Sequence, residues 1–196
     1  MASHELEQFI TSWEFESKKT QQLLAALPKD QYDFRPDAKG RSLGELAWHL
    51  AELDGYISDG VTKGKFDFEA KLPVLQRPRT VAELAPGFAK VHADALARLK
   101  GMKPAAMDES TEFFGRNMRN GDILWNALLH HLIHHRGQLF MLARLAGGKP
   151  PGLYGPTREE EAAMRAARCA ANDLHGTSTR RKPPRRCQRG GFPVAP

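Results

Sequence analysis

Cysteine is the first thing this sequence lacks. Only two occur in 196 residues, Cys169 and Cys187, and both fall near the C-terminal end. Residues 1–168 have none, which excludes a disulfide framework, a cysteine zinc site and a cysteine nucleophile from that part of the chain. Long apolar runs are missing too, and nothing approaches the roughly 20 residues that a membrane helix needs. The opening MASHELEQF has no apolar segment behind a basic start, so no secretory signal is read there and the cytoplasm is the expected location. Charge of one sign is also absent once the tail is set apart. The net charge is +6, but Arg180, Arg181, Lys182, Arg185, Arg186 and Arg189 stand against Asp173 alone in residues 169–196. Residues 1–168 are therefore close to neutral, which gives them no electrostatic case for binding nucleic acid.

What is present is helical periodicity. Leu6, Phe9, Ile10, Trp13, Thr20, Leu24 and Leu27 recur at helical spacing, and Pro28 stops the run. In SLGE, Ser42 and Glu45 have the spacing of a capping box, opening a helix with Leu46, His49, Leu50, Leu53 and Ile57 on one side. Residues 60–79 read as a connection. Thr80 and Glu83 form a second box before Leu84, Phe88, Val91, Ala95 and Leu99, with Pro86 predicting a kink or a late start. Residues 101–119 read as another connection, and strand signals are scarce. Asn120 is placed to cap a long helix that Gly147-Gly148 closes. A last box, Thr157 with Glu160, predicts a short helix to about Arg168. Four amphipathic helices with long connections predict an all-α four-helix bundle over residues 1–168. The basic, Pro/Gly-rich remainder, residues 169–196, predicts a disordered tail. Its RRKPPRR suits an acidic surface or nucleic acid, and a solvated extension is the simpler reading.

The chemistry concentrates in HHLIHHRGQ, residues 130–138, which holds four of the 8 histidines. On a helix, His130/His134 and His131/His135 form two rival pairs, each four residues apart. Turning each position by about 100° puts His135 about 40° from His131, with Leu124, Leu128 and Leu142 close by. His130 and His134 fall on the flank. His131 and His135 are thus the pair expected to face inward, and a three-ligand site needs one more donor. His49 is the candidate, because it shares the apolar side of its helix with Leu46 and Leu53. A histidine on an apolar face is ordinarily a core residue with a backbone partner, but two at this spacing bring several polar atoms into an apolar stripe. Three neutral imidazoles on facing helices would hold a divalent ion and leave positions open.

Around that trio, Gln138 is read either as orienting a ligand or water, or as satisfying a backbone group. His134 is a weak acid–base candidate, and Arg136 is expected to point away into a dimer or interhelical salt bridge. His92 is read as an edge residue. Leu129, Ile133, Phe140 and Trp125 line a second apolar side of the same helix, which suggests packing against a second copy.

FRP (34–36), SLGELAWHLAE (42–52), HHLIHHRGQL (130–139) and PPGLYGPT (150–157), in this order, resemble the DinB-like, or YfiT-like, four-helix metal-binding superfamily. The resemblance spans roughly residues 5–160 and leaves the tail outside. It implies an up-down-down-up bundle, commonly a homodimer. It also implies one divalent ion, Zn²⁺ or Ni²⁺ first and Fe²⁺ or Mn²⁺ next, on His49, His131 and His135. The reaction it implies is metal-dependent hydrolysis, or transfer using a low-molecular-weight thiol such as bacillithiol, mycothiol or glutathione. A non-catalytic metal-binding module of the stress response is the alternative.

Overall fold

The structure, a computed structural model, describes residues 2–175. It separates into one unit ending at Gly155 and a second beginning at Pro156. The first unit contains four long helical runs: α1 (Ala2–Ala25), α2 (Leu43–Lys63), α3 (Val81–Lys100) and α4 over residues 120–145. α2 lies against both α3 and α4, and α1 packs on α3. The second unit has one helix, α5 (Arg158–His175). No helix among the described residues is long and apolar enough to cross a membrane.

Local signals explain most of the helix ends. Ser42 accepts from the Glu45 N–H at 3.3 Å, and the Glu45 carboxylate accepts from the Ser42 N–H at 2.8 Å, so the first capping box forms. Thr157 and Glu160 make the same reciprocal pair. At Thr80 the box does not form; its hydroxyl donates to the Glu83 carboxylate at 2.6 Å, and α3 runs through Pro86 without a late start. α2 continues past the expected stop at residue 60 as far as Lys63, where Gly64 adopts a left-handed φ of 68°. α5 likewise runs beyond Arg168 to His175, while RRKPPRR lies outside the described residues.

The connection 101–119 is not irregular throughout. It contains an antiparallel hairpin, β1 (Ser110–Phe113) with β2 (Arg116–Arg119), in which Phe113 faces Arg116 across a Phe114-Gly115 turn. Asn120 does not cap α4. Its side chain instead accepts from the Thr111 hydroxyl at 2.8 Å and donates to the Ala106 carbonyl at 2.9 Å, holding the hairpin at the start of α4.

α4 is the helix that departs from regular geometry. After a turn at Asn120–Asp122 it is π-helical over Ile123–His130 and α-helical over His131–Leu145. The wider winding rotates everything beyond it relative to a uniform wheel. Leu124 and Leu128 are buried in the first part, and in the second the buried residues are Leu132, Arg136, Leu139, Leu142 and Ala143. His131 and His135 therefore sit half-buried at the edge of the core, not in the middle of the stripe. The same winding turns Leu129 into the core and packs Trp125, Ile133 and Phe140 against it. On this second apolar side Leu129 is thus buried, while Trp125, Ile133 and Phe140 are partly buried.

Two polar networks lie inside this core. Arg136, only 1% exposed, donates to the Glu16 carboxylate, to the Glu16 carbonyl at 2.8 Å and to Thr20 Oγ1 at 3.3 Å. It also meets Tyr154 of the PPGLYGPT stretch. Of the two roles expected for Arg136, the structure shows the interhelical ion pair. His92 is a correction: it is buried on α3 and pairs at 2.7 Å with Asp54 of α2, which also accepts from Trp13 Nε1 at 3.0 Å. Phe88 stacks on His92 and Trp13 meets it edge-on, so an imidazole fits among rings while its polar edge meets the carboxylate. Burial pushes the Asp54 carboxyl up, against the pull of the His92 and Trp13 bonds.

Candidate metal centre

α2 and α4 bring the three predicted histidines together. Ligand nitrogens of His49, His131 and His135 all lie within 4.8 Å of one another. The His49 ring centre is 5.8 Å from that of His131 and 4.8 Å from that of His135. The Nε2 atoms of His131 and His135 are 2.7 Å apart.

Two of the rings are held from their far side. His49 Nδ1 donates to the Glu52 carboxylate at 3.2 Å, and His135 Nδ1 donates to Gln138 Oε1 at 2.7 Å. A carbonyl or carboxylate can only accept, so these partners place the protons on the outer nitrogens and leave the inner ones with lone pairs. That is how metal-bearing histidines are oriented. Glu52 is in turn braced by Arg77 at 3.5 Å. Burial pushes the Glu52 carboxyl up, but the His49 bond and the Arg77 charge outweigh it and hold the group below its usual range.

The electrostatics favour neutral ligands. Burial lowers the His131 imidazole, and the neighbouring His49 adds to this. Burial also takes His135 down to about 4, against the Gln138 bond. Neutral imidazole is the form that coordinates a cation. The close Nε2 atoms of His131 and His135 could each give a lone pair to one cation. The donor set therefore fits a divalent ion.

Gln138 is exposed, and besides accepting from His135 it donates to His134 Nε2 at 2.9 Å, so it positions the His135 ring. His134 is exposed at the end of that chain, and His130 bonds only to Asn126 among the described contacts.

Beside the trio opens a cavity of about 400 Å³. His49, Glu52 and His131 form one end, with Arg41 alongside; Leu53, Tyr56, Ile57, Phe68, Phe113 and Phe114 form the rest. The hairpin that the sequence reading missed thus supplies part of the wall. Phe114-Gly115 is a weak sequence signal for such a turn, because both positions need positive φ and Asn-Gly is the usual pair.

A helical fold with a supported three-histidine cluster open to a cavity defines a class of candidate metal-binding helical proteins. The profile of the DinB family matches residues 1–172, and the chain belongs to that family. It is 33% identical over 159 residues to the uncharacterized protein YrdA of Bacillus subtilis (strain 168), covering 79% of this chain and 91% of YrdA. Among solved structures it is similar to a DinB-like protein from Bacillus cereus ATCC 10987, with a TM-score of 0.64 and 30% identity, covering 76% of this chain and 97% of that one. It also shares its fold with the DinB-like protein YjoA of Bacillus subtilis, with a TM-score of 0.63 and 22% identity, covering 77% and 99%.

Proposed function

We propose that the chain is a metal-dependent enzyme acting in the cytoplasm on a small molecule, by hydrolysis or by transfer to a low-molecular-weight thiol. The observation that carries this is the convergence of three imidazoles, two of them braced at the outer nitrogen, beside a cavity that His49 and His131 line. His49, His131 and His135 would hold a divalent ion, with zinc or nickel suiting three nitrogen donors and iron or manganese next. Such an ion supplies a Lewis acid that makes a water or thiol more acidic and a carbonyl more electrophilic.

The chain's own residues do the rest. Neutral ligands leave the ion's charge uncompensated, and Glu52 and Gln138 keep the inner nitrogens of His49 and His135 aimed. The apolar cavity wall excludes water from the reacting groups. Residues 1–168 contain no cysteine, so a thiolate must come from a co-substrate. A module that merely stores metal needs no walled cavity beside its ligands, which favours catalysis over the non-catalytic alternative.

Elemental analysis of the protein as purified, followed by assays of the metal-loaded form against ester, amide and thiol-acceptor panels, tests the proposal. Near-stoichiometric zinc or nickel with metal-dependent turnover is the expected result. Absence of bound metal together with no affinity for added metal would overturn it.

A further inference from the structure

The cavity beside the three histidines has two features that the metal alone does not require. The first is Arg41. It lines the cavity next to His131 and is exposed, and no carboxylate pairs with it among the described residues. The neighbouring arginines differ: Arg35 pairs with Glu45, and Arg77 with Glu45 and Glu52. An unpaired guanidinium beside a carbon-lined cavity offers a planar fork for one carboxylate.

The second feature is Phe114. It stands at φ 49° and Gly115 at φ 75°, as a type I′ turn demands, yet a bulky aromatic is poorly suited to a left-handed position. Its ring is 77% exposed, so it is not there to fill the core. Instead it stacks on Phe68, with ring centres 5.1 Å apart and planes 12° from parallel. Phe113 completes the group, edge-on to Phe114 at 4.6 Å. Residues held in such conformations cluster at ligand sites, where surrounding contacts sustain them.

We infer that this cavity takes a small carboxylate with an apolar, ring-sized body, the carboxylate on Arg41 and the body against Phe114, Phe68 and Tyr56. This rests on the proposed metal site for what happens to the ligand, but not for its recognition. The volume of about 400 Å³ lies at the small end of ligand cavities, which fits one ring and a short chain. One guanidinium also matches one negative charge, where a phosphate dianion would call for more donors.

The probes are 3-phenylpropanoate, its amide 3-phenylpropanamide, and propanoate, titrated calorimetrically into the full chain with and without one equivalent of zinc. The acid is expected to bind about tenfold or more tightly than the amide, because a hydrogen-bonded charge pair is lost in the amide. It should exceed propanoate by a similar factor. Arg41→Gln should abolish the acid–amide difference while leaving zinc affinity unchanged. Phe114→Asn should abolish the advantage of the phenyl group without lowering the melting temperature, since Asn-Gly suits this turn better than Phe-Gly. A ring that served only the fold would lower the melting temperature and leave ligand preference intact. Equal binding of acid and amide, or either preference surviving its variant, overturns the inference. The expected pattern without zinc, in a chain that takes up no zinc, would sustain the inference and overturn the metal reading.

Discussion

The Nε2 atoms of His131 and His135 face each other across 2.7 Å, one helical turn apart on α4. His135 gives its outer ring proton to Gln138 Oε1, so its inner nitrogen carries a lone pair. Such a pair is a poor arrangement for two isolated histidines and a good one for two ligands of the same ion. Alanine at His49, His131 or His135 is therefore expected to weaken zinc binding by more than the 10–100-fold typical of losing a supporting group. His130→Ala is expected to leave affinity unchanged. Competition against a chromophoric chelator measures both, and equal effects at His130 and His131 would count against the assignment.

The supporting groups make their own prediction. Glu52 and Gln138 touch the outer nitrogens of His49 and His135. Glu52→Ala and Gln138→Ala should each weaken zinc binding by roughly 10–100-fold. Glu52→Gln should recover part of the loss, because an amide oxygen still accepts the His49 proton. A chain in which Glu52→Ala left zinc affinity untouched would show that His49 is not oriented from this side.

Acid should destabilise the metal-free protein in a specific window. His135 is taken down to about 4, chiefly by burial, and His131 is lowered by burial too. In the unfolded chain both titrate near about 6.5. Between those values these two histidines bind more protons in the unfolded state than in the folded one, so they withdraw stability as pH drops from about 6.5 towards 4. Urea midpoints in chelator at several pH values read this directly. His135→Leu should flatten the slope above pH 5, where the lowered carboxylates Glu5, Glu45 and Glu52 do not yet contribute. An unchanged slope in that variant would remove the histidine from the account.

The sequence made the histidine trio legible because i, i+4 spacing on a helix survives small errors of rotation. His131 and His135 stay together on any wheel, and His49 needed only to lie on the inner side of α2. What the wheel missed was the turn introduced at Ile123–His130, because nothing in ILWNALLH announces π winding. That error placed the pair in mid-core when it stands at the edge, where a ligand can reach it. The hairpin stayed hidden because Phe114 occupies a position that Asn or Gly usually fills. Asn120 resembled a cap because its side chain suits one, but the buried Thr111 hydroxyl and the Ala106 carbonyl compete for it. His92 was misread for a different reason: its partner Asp54 is 38 positions away in sequence, and no local pattern joins them.

That pair supports the last prediction. Asp54 is fully buried, and its carboxylate depends on His92 and Trp13 for hydrogen bonds. Removing one partner of a buried pair leaves the other without compensation, which costs about 3–5 kcal/mol. His92→Leu is expected to destabilise the fold by that order, with Asp54→Leu comparable. Replacing both by leucine deletes the polar groups together, so the double variant should be more stable than the sum of the single losses allows. Zinc affinity should stay unchanged throughout, because neither residue lines the cavity or touches the three histidines. Chemical denaturation of the four-protein cycle, with zinc binding followed in parallel, measures both quantities. Additive losses would show that Asp54 and His92 are held independently, and a fall in zinc affinity would show that this network also supports the metal centre.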